Sequence, residues 1–505
     1  MTADRPTPVP DLDWDPKRAR VFADRTVDLW QELLERLPEL PVSGRWTAKD
    51  VHEAVAIDVP DAPMPDDELF AYLHDVVFDW SELSGHPRFM AYVSGAGTVP
   101  GAAADLLAAG LNANLGGWQL SPAASEIELH LTRWFATELF GLPEGSGGLI
   151  TSGGAMANFI GLKVARDRRA GWNVREEGLA GHAPLCLYLS DETHVVSVRG
   201  ADMLGIGTDA VRHIAVDDGF RVSMEDLRAA ITADREAGRV PFAVVASAGT
   251  VATGAVDPLH QIADLCAEEG LWMHVDAAYG GPAMLADDLR PLFAGIERAD
   301  SIAFDPHKWL YTPLAGGCVV VRTMGHLAES FEAHASYVVQ DKEYTQHGLD
   351  LGRHGPQFSR GFWALKVWVS LLAHGREAYG RRISHDAALA RYLGAQAEER
   401  PEFELATPVE LSICCFRYVP PDLPSGGPER EVYLNRLNER LMTEIQLDGR
   451  VYISNAILGD RFVLRACIVN FRTEADDIDA VLDVAAELGA TLDAELRPTS
   501  VGGAA

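Results

Sequence analysis

Basic residues are scarce in this chain. Its 505 residues include 43 lysines and arginines against 74 aspartates and glutamates, a formal charge of −31. A surface of that sign repels a phosphate backbone and argues against a nucleic-acid partner. The acidity itself points to solubility or habitat more than to a substrate. Cysteine is sparse too. Cys186, Cys266, Cys318, Cys414, Cys415 and Cys467 are scattered, form no C-x-x-C pair, and lie mostly in apolar runs such as "LSICCFRY". They read as buried free thiols in a reducing compartment, not as disulfides or zinc ligands. The opening "MTADRPTPVPDLDWDPKRAR" lacks the apolar core of a signal peptide. No run of about 18 apolar residues is present to span a bilayer. These absences predict a cytoplasmic protein with no membrane partner. Internal repeats are missing, and the only low-complexity tract is the short tail "PTSVGGAA".

What is present is ordinary globular composition, 47% hydrophobic and 23% charged. The length predicts two or three domains. Residues 1–95 carry apolar positions at helical spacing in "RVFADRTVDLWQELLERL" and "DDELFAYLHDVVFDW". Such a segment cannot bury its stripe alone and must pack on the main body or on a partner chain. Across 96–375 short apolar strands, among them "PFAVVASAG", "LWMHVDAA", "SIAFD" and "GGCVVVR", alternate with helical stretches. That alternation predicts an α/β fold with a mostly parallel sheet between helices. The last two strands are expected to return antiparallel. "GFWALKVWVSLLAHGREAYGRRISHDAALARYLGAQAEE" predicts one or two long helices leading into 376–505. There "FELATPVELSICCFRYVP" and "RFVLRACIVNFRT" read as antiparallel strands of a small α+β domain, each followed by a helix.

The chemistry starts with "SIAFDPHKWLYTP". Lys308 follows a buried strand and sits beside Trp309; such a lysine is expected to have a lowered pKa and to attack carbonyls. Taken alone, it could equally be a surface lysine lying on the indole. In "WMHVDAAYGG", Asp276 stands at the carboxyl end of a strand, the edge where open α/β sheets bind ligands. It could cap a helix, but a buried carboxylate also suits a protonated pyridine nitrogen, with Lys308 closing on the aldehyde of the same ring. That pair is what pyridoxal phosphate requires. In "LITSGGAMANFIGL" a strand ends, glycines turn, and a helix start offers backbone N–H groups to an anion. "LSDETHVVSV" puts His194 at another strand end, able to stack on a flat ring. No His/Asp cluster supports a metal.

"DPHKWL", "HVDAAYGG", "SDETHVVS" and "SPAASEIE", in that spacing, resemble the group II pyridoxal-phosphate decarboxylases, from "HPRFMAY" to "LRACIVNFRT". The resemblance implies the PLP-dependent transferase fold, type I, with a seven-stranded sheet. It also implies a homodimer whose active sites lie at the interface, the amino-terminal helices wrapping the partner. Carried over by position, Lys308 would hold the cofactor covalently, Asp276 would pair with the ring nitrogen, His194 would stack on one face and Ala278 on the other. Gly154, Ala155 and Asp305 would lie near the phosphate, Thr250 in the cofactor site and His307 beside the lysine. Tyr337 matches the mobile-loop tyrosine that protonates the substrate carbon, which favours decarboxylation over aldehyde formation.

The chain departs from the family pattern at several positions. Ala155 and Met156 stand where serine and glutamate are usual, and Val251 replaces a second threonine, leaving Thr250 as the only expected hydroxyl there. Ser84, Val93 and Gly116 occupy positions that aromatic amino acid decarboxylases line with aromatic rings, while Tyr92 and Trp118 remain. Ser359 falls where plant relatives separate phenolic from indolic substrates. No cation stands out as a partner for a side-chain carboxylate. The expected reaction is decarboxylation of a hydrophobic, aromatic L-amino acid. The alternatives are an aliphatic substrate such as methionine, leucine or valine, an aldehyde-forming relative, and, remotely, a cofactor-binding protein without turnover.

Overall fold

Helix formation begins at Asp15, whose carboxylate accepts from the N–H groups of Lys17 and Arg18 while Pro16 occupies a position that needs no donor. The computed structural model describes residues 12–333, 348–426 and 428–498, together with Val9. The helix Pro16–Arg36 buries none of its residues. Its apolar stripe rests on the helix Asp66–Asp79, with the Phe22 and Phe70 rings 4.9 Å apart. No helix among the described residues is long and apolar enough to cross a membrane.

Among the described residues the central sheet has seven strands: β1 (Gly147–Thr151), β2 (Leu185–Ser190), β3 (Val211–Ile214), β4 (Val240–Ser247), β5 (Trp272–Asp276), β6 (Ser301–Phe304) and β7 (Gly317–Val321). Their spatial order is β1-β7-β6-β5-β4-β2-β3. Strands such as β2 and β5 are buried along their whole length, as near-continuous apolar runs in a covered parallel sheet should be. The pairs β2–β3, β2–β4, β4–β5 and β5–β6 are parallel. Only β7 runs against its neighbours, β6 and β1, so the expectation of two antiparallel strands is corrected to one. The reason lies in the connections. Residues 277–300 are long enough to cross over and keep β6 parallel to β5, whereas 305–316 simply turn the chain back. That returning loop carries Lys308.

A second, antiparallel sheet contains β8 (Phe403–Leu405), β9 (Ile413–Tyr418), β10 (Ser454–Leu458) and β11 (Arg461–Cys467), in the order β10-β11-β9-β8. The sequence reading lacked β10. Its residues Ser454, Ala456 and Leu458 face inward while Asn455 and Ile457 are exposed, an alternation too short to read as a strand from the sequence. Residues 89–92 run beside this sheet: the Met90 amide donates to the Tyr452 carbonyl and the Cys467 amide to the Met90 carbonyl, both at 2.8 Å. The two long helices Ala364–His374 and Arg376–Glu399 meet at Gly375, whose φ of +73° a side chain would resist. All six cysteines are buried and free.

Candidate active site

Because β1, β2, β4, β5 and β6 point the same way, their carboxyl ends share one edge of the sheet. Each end contributes to a single cleft of about 820 Å³. From β1 come Gly154 and Ala155; from β2, His194; from β4, Thr250; from β5, Asp276 and Ala278; from β6, Asp305, His307 and Lys308. Tyr92 and Val93 close it from the end of the segment that begins at residue 89, and Ser454, Asn455, Ile457 and Arg465 from the small sheet.

Lys308 lies on the cleft floor, partly buried, with Nζ 3.0 Å from Asp305 Oδ2. Burial pulls its pKa down, but the carboxylates of Asp305 and Asp276 pull harder, and the pKa is raised. The lowered value expected from apolar surroundings is therefore corrected: two acidic neighbours decide the sign. Asp276 is buried at the end of β5 and accepts from the Ala278 amide at 3.1 Å. His194 accepts from the Val196 amide at Nδ1, 3.2 Å away, which leaves Nε2 to carry the proton of the neutral ring. Burial lowers its pKa against the opposing pull of Asp276. His307 is likewise lowered by burial, and its Nδ1 lies 2.5 Å from the Gly316 carbonyl.

Gly154 starts the helix Gly154–Arg169 directly against Asp305, where a Cβ would stand 2.6 Å from Oδ2. The N–H groups of such a first turn have no partners within the helix and suit a phosphate. Thr250 is not the only hydroxyl of its turn: Thr253 Oγ1 is 2.9 Å from Thr250 Oγ1, and both are buried. The local fold thus supplies a second hydroxyl that the simple Val251 replacement concealed. Two buried polar atoms here lack partners among the described residues, Asp305 Oδ1 and Arg465 Nη2. An amine for an aldehyde, a carboxylate for a ring nitrogen and a helix start for a phosphate together fit pyridoxal phosphate.

The family comparison is decisive: the pyridoxal-dependent decarboxylase conserved domain matches residues 49–419. This chain belongs to the pyridoxal-dependent decarboxylases. It is 33% identical over 459 residues to an aromatic-L-amino-acid decarboxylase of Bacillus atrophaeus, covering 91% of this chain and 93% of that one. It is 32% identical over 420 residues to a human cysteine sulfinic acid decarboxylase, covering 82% and 85%. The crystal structure of Oryza sativa TDC with PLP and tryptamine superposes with a TM-score of 0.88 at 26% identity, over 95% of this chain and 99% of that one. The decarboxylase is a pyridoxal phosphate enzyme of fold type I.

Four residues expected at the substrate do not line the cleft of this decarboxylase. Gly116 is buried beneath the loop of Ser359, where a side chain would strike the Phe358 carbonyl. Trp118 donates from Nε1 to Glu126 at 2.8 Å and packs on Gly348. Ser359 is exposed, and Ser84 sits in the turn after Leu83. Tyr337 lies outside the described residues. Conversely, Arg465 escaped the sequence reading. Its signal was an arginine inside the buried strand "RFVLRAC", where a charge needs a reason. It donates to the carbonyls of Ala252 (3.1 Å) and Tyr92 (2.8 Å), and its buried Nη2 has no partner among the described residues.

Among the described residues, no group of three or more His, Cys, Asp or Glu is placed to hold a metal ion.

Proposed function

We propose that this decarboxylase acts on an L-amino acid with one carboxylate and an apolar, aromatic side chain, releasing the amine and carbon dioxide. The observation that carries this reading is Arg465. Arg465 lines the cleft with its buried Nη2 unpartnered among the described residues, and Tyr92, Val93, Val196, Val251 and Ile457 give the same cleft apolar surface beside its polar residues. A single arginine suits the reacting carboxylate; a second acid group on the side chain would find no second arginine among the described residues that line the cleft. Bound pyridoxal phosphate supplies the electron sink for the pair left when carbon dioxide departs.

The residues around it then have separate tasks. Lys308 would offer its amine to the cofactor's aldehyde, and Asp305, 3.0 Å from Nζ, lies within reach of its proton. Asp276 would pair with the ring nitrogen and favour its protonated form, His194 and Ala278 would pack against the ring, and the turns at Gly154–Ala155 and Thr250 would hold the phosphate end. Arg465 orients the carboxylate, and Tyr337 delivers the proton to carbon. The enzyme works as a cytoplasmic homodimer. The helix Val99–Leu111 exposes Leu106, Leu107 and Leu111, an apolar face suited to a second copy. Such a copy would bring Gly116, Trp118 and Ser359 to the neighbouring cleft.

The test is product analysis over a panel of L-amino acids, with wild type and Arg465→Met. Aromatic substrates are expected to exceed methionine, leucine, valine, glutamate and cysteine sulfinate by at least about tenfold in kcat/KM, yielding amine without peroxide or aldehyde. Arg465→Met should lower kcat/KM about 100-fold, the worth of a charge-assisted contact, while inhibition by the product amine, which lacks the carboxylate, stays the same. Preference for an acidic substrate would overturn the reading.

A further inference from the structure

Behind the lysine loop, three donors converge on one buried carboxylate that touches neither the cleft nor its contents. Asp386, on the helix Arg376–Glu399, is fully buried. Its Oδ2 accepts from Trp309 Nε1 at 3.0 Å and from the Tyr311 hydroxyl at 2.6 Å. Its Oδ1 accepts from Arg382 Nε at 2.9 Å. Trp309 and Tyr311 follow Lys308 within the same loop. The Trp309 ring, fully buried, also stacks on Tyr279 with centroids 5.2 Å apart, and Tyr279 belongs to the turn that follows Asp276. Tyr311 has φ +52°, a left-handed conformation that a residue with a side chain keeps only when its surroundings hold it. Arg382 continues the linkage: Nη2 donates to the Thr473 carbonyl at 2.7 Å, in the turn beyond β11.

We propose that Asp386 is a positioning residue for Lys308, fixing through Trp309 and Tyr311 the direction in which the 305–313 loop presents Nζ. The proposal rests on the reading of Lys308 as the cofactor-binding amine. Removing one acceptor oxygen leaves the core volume unchanged but frees the loop to misplace Nζ, and displacements near 1 Å cost about 100-fold in rate at a reacting centre.

The test uses full-length enzyme freed of cofactor, mixed with pyridoxal phosphate, with growth of the visible absorption band followed by stopped flow. Thermal unfolding of the same samples is recorded. Asp386→Asn is expected to slow band growth of the folded enzyme at least about tenfold, while Glu474, 3.1 Å from Arg382, remains as its counter-ion and limits the fall in the unfolding midpoint. Tyr311→Phe and Trp309→Phe, each leaving Asp386 in place, are expected to slow it less, and the double variant to match Asp386→Asn. A purely structural role would lower the midpoint and leave the rate of the folded fraction unchanged. Rates within twofold of wild type for Asp386→Asn, or for the double variant should Asp386→Asn not fold, would overturn the positioning role and leave Lys308 untouched. A full visible band in Lys308→Ala would overturn the Lys308 reading itself and this proposal with it.

Discussion

Two residues before Asp276, His274 is fully buried and held on both sides. Trp272 Nε1 donates to Ser301 Oγ at 2.8 Å, that hydroxyl donates to His274 Nδ1 at 2.7 Å, and His274 Nε2 donates to Asn158 Oδ1 at 2.9 Å. Asn158 in turn donates to the Gly154 carbonyl at 2.9 Å, so the relay ends at the proposed phosphate turn. Burial holds the His274 pKa down to about 4, against the opposing pull of Asp276. The ring is neutral, and the charge of Asp276 stays available to the cleft. A histidine whose folded pKa is depressed stabilises the fold above its unfolded value near 6.5 and loses that contribution as pH falls toward the folded value. The loss from pH 6.5 to 4 is roughly 3 kcal/mol. The expected outcome is a urea midpoint that drops less between pH 7 and 4.5 in His274→Gln than in wild type, since glutamine cannot ionise. Equal drops would place the acid sensitivity elsewhere. In the sequence His274 looked like one more strand residue, because only its pairing with Asn158 on a distant helix gives it a task.

Elements are tied across the sheet edge by a second buried pair. Glu128, from "SPAASEIE" on the helix Pro122–Trp134, and Arg360, next to Ser359, are both fully buried and in contact. Glu128 Oε1 also accepts from the Ile150 amide at 2.9 Å, and Arg360 donates to the Ile150 carbonyl at 2.8 Å. The pair therefore pins β1 to the segment that follows the Tyr337 region. Stranding one buried charge costs about 3–5 kcal/mol, while replacing both by apolar groups of similar size is close to neutral. Arg360→Met is expected to lose that much stability in chemical denaturation, and Glu128→Met with Arg360→Met to recover most of it. A double variant as unstable as the single one would show that the pair stabilises by more than mutual charge compensation. The element pattern itself was largely legible: strands with continuous apolar runs and helices with caps announced themselves locally. The direction of β6 was not, because it depends on where the 277–300 connection passes. β10 was missed because a five-residue edge strand leaves too little pattern.

At the scale of the molecule, the cleft of one chain is walled by the sheet edge, the small sheet and residues 89–92, and part of the expected substrate wall lies outside it. The proposed second copy accounts for this, with the leucines of Val99–Leu111 as the contact. Leu107, 67% exposed, is the most open of them. Leu107→Asp is expected to convert a dimer to monomers in sedimentation velocity and to remove most activity, since burying a carboxylate in an apolar contact is unfavourable. A wild-type monomer with full activity would mean that one chain completes the site.

The sequence by itself determined the chemistry that lies within short segments. Lys308, Asp276, His194 and the glycine turn at 153–154 each stand at the end of a strand, and strand ends are set by local apolar pattern and turn residues. Parallel strands then bring those ends to one edge, where they line one cleft; the cofactor roles proposed for them were implied by the family resemblance. Only the tertiary structure decided what depends on residues far apart in the chain. It set Arg465 against Tyr92 and the cleft, Thr253 beside Thr250, Asp386 behind Trp309 and Tyr311, and two carboxylates close enough to reverse the shift expected for Lys308. Those outcomes depend on distance between side chains, which no single stretch of sequence carries.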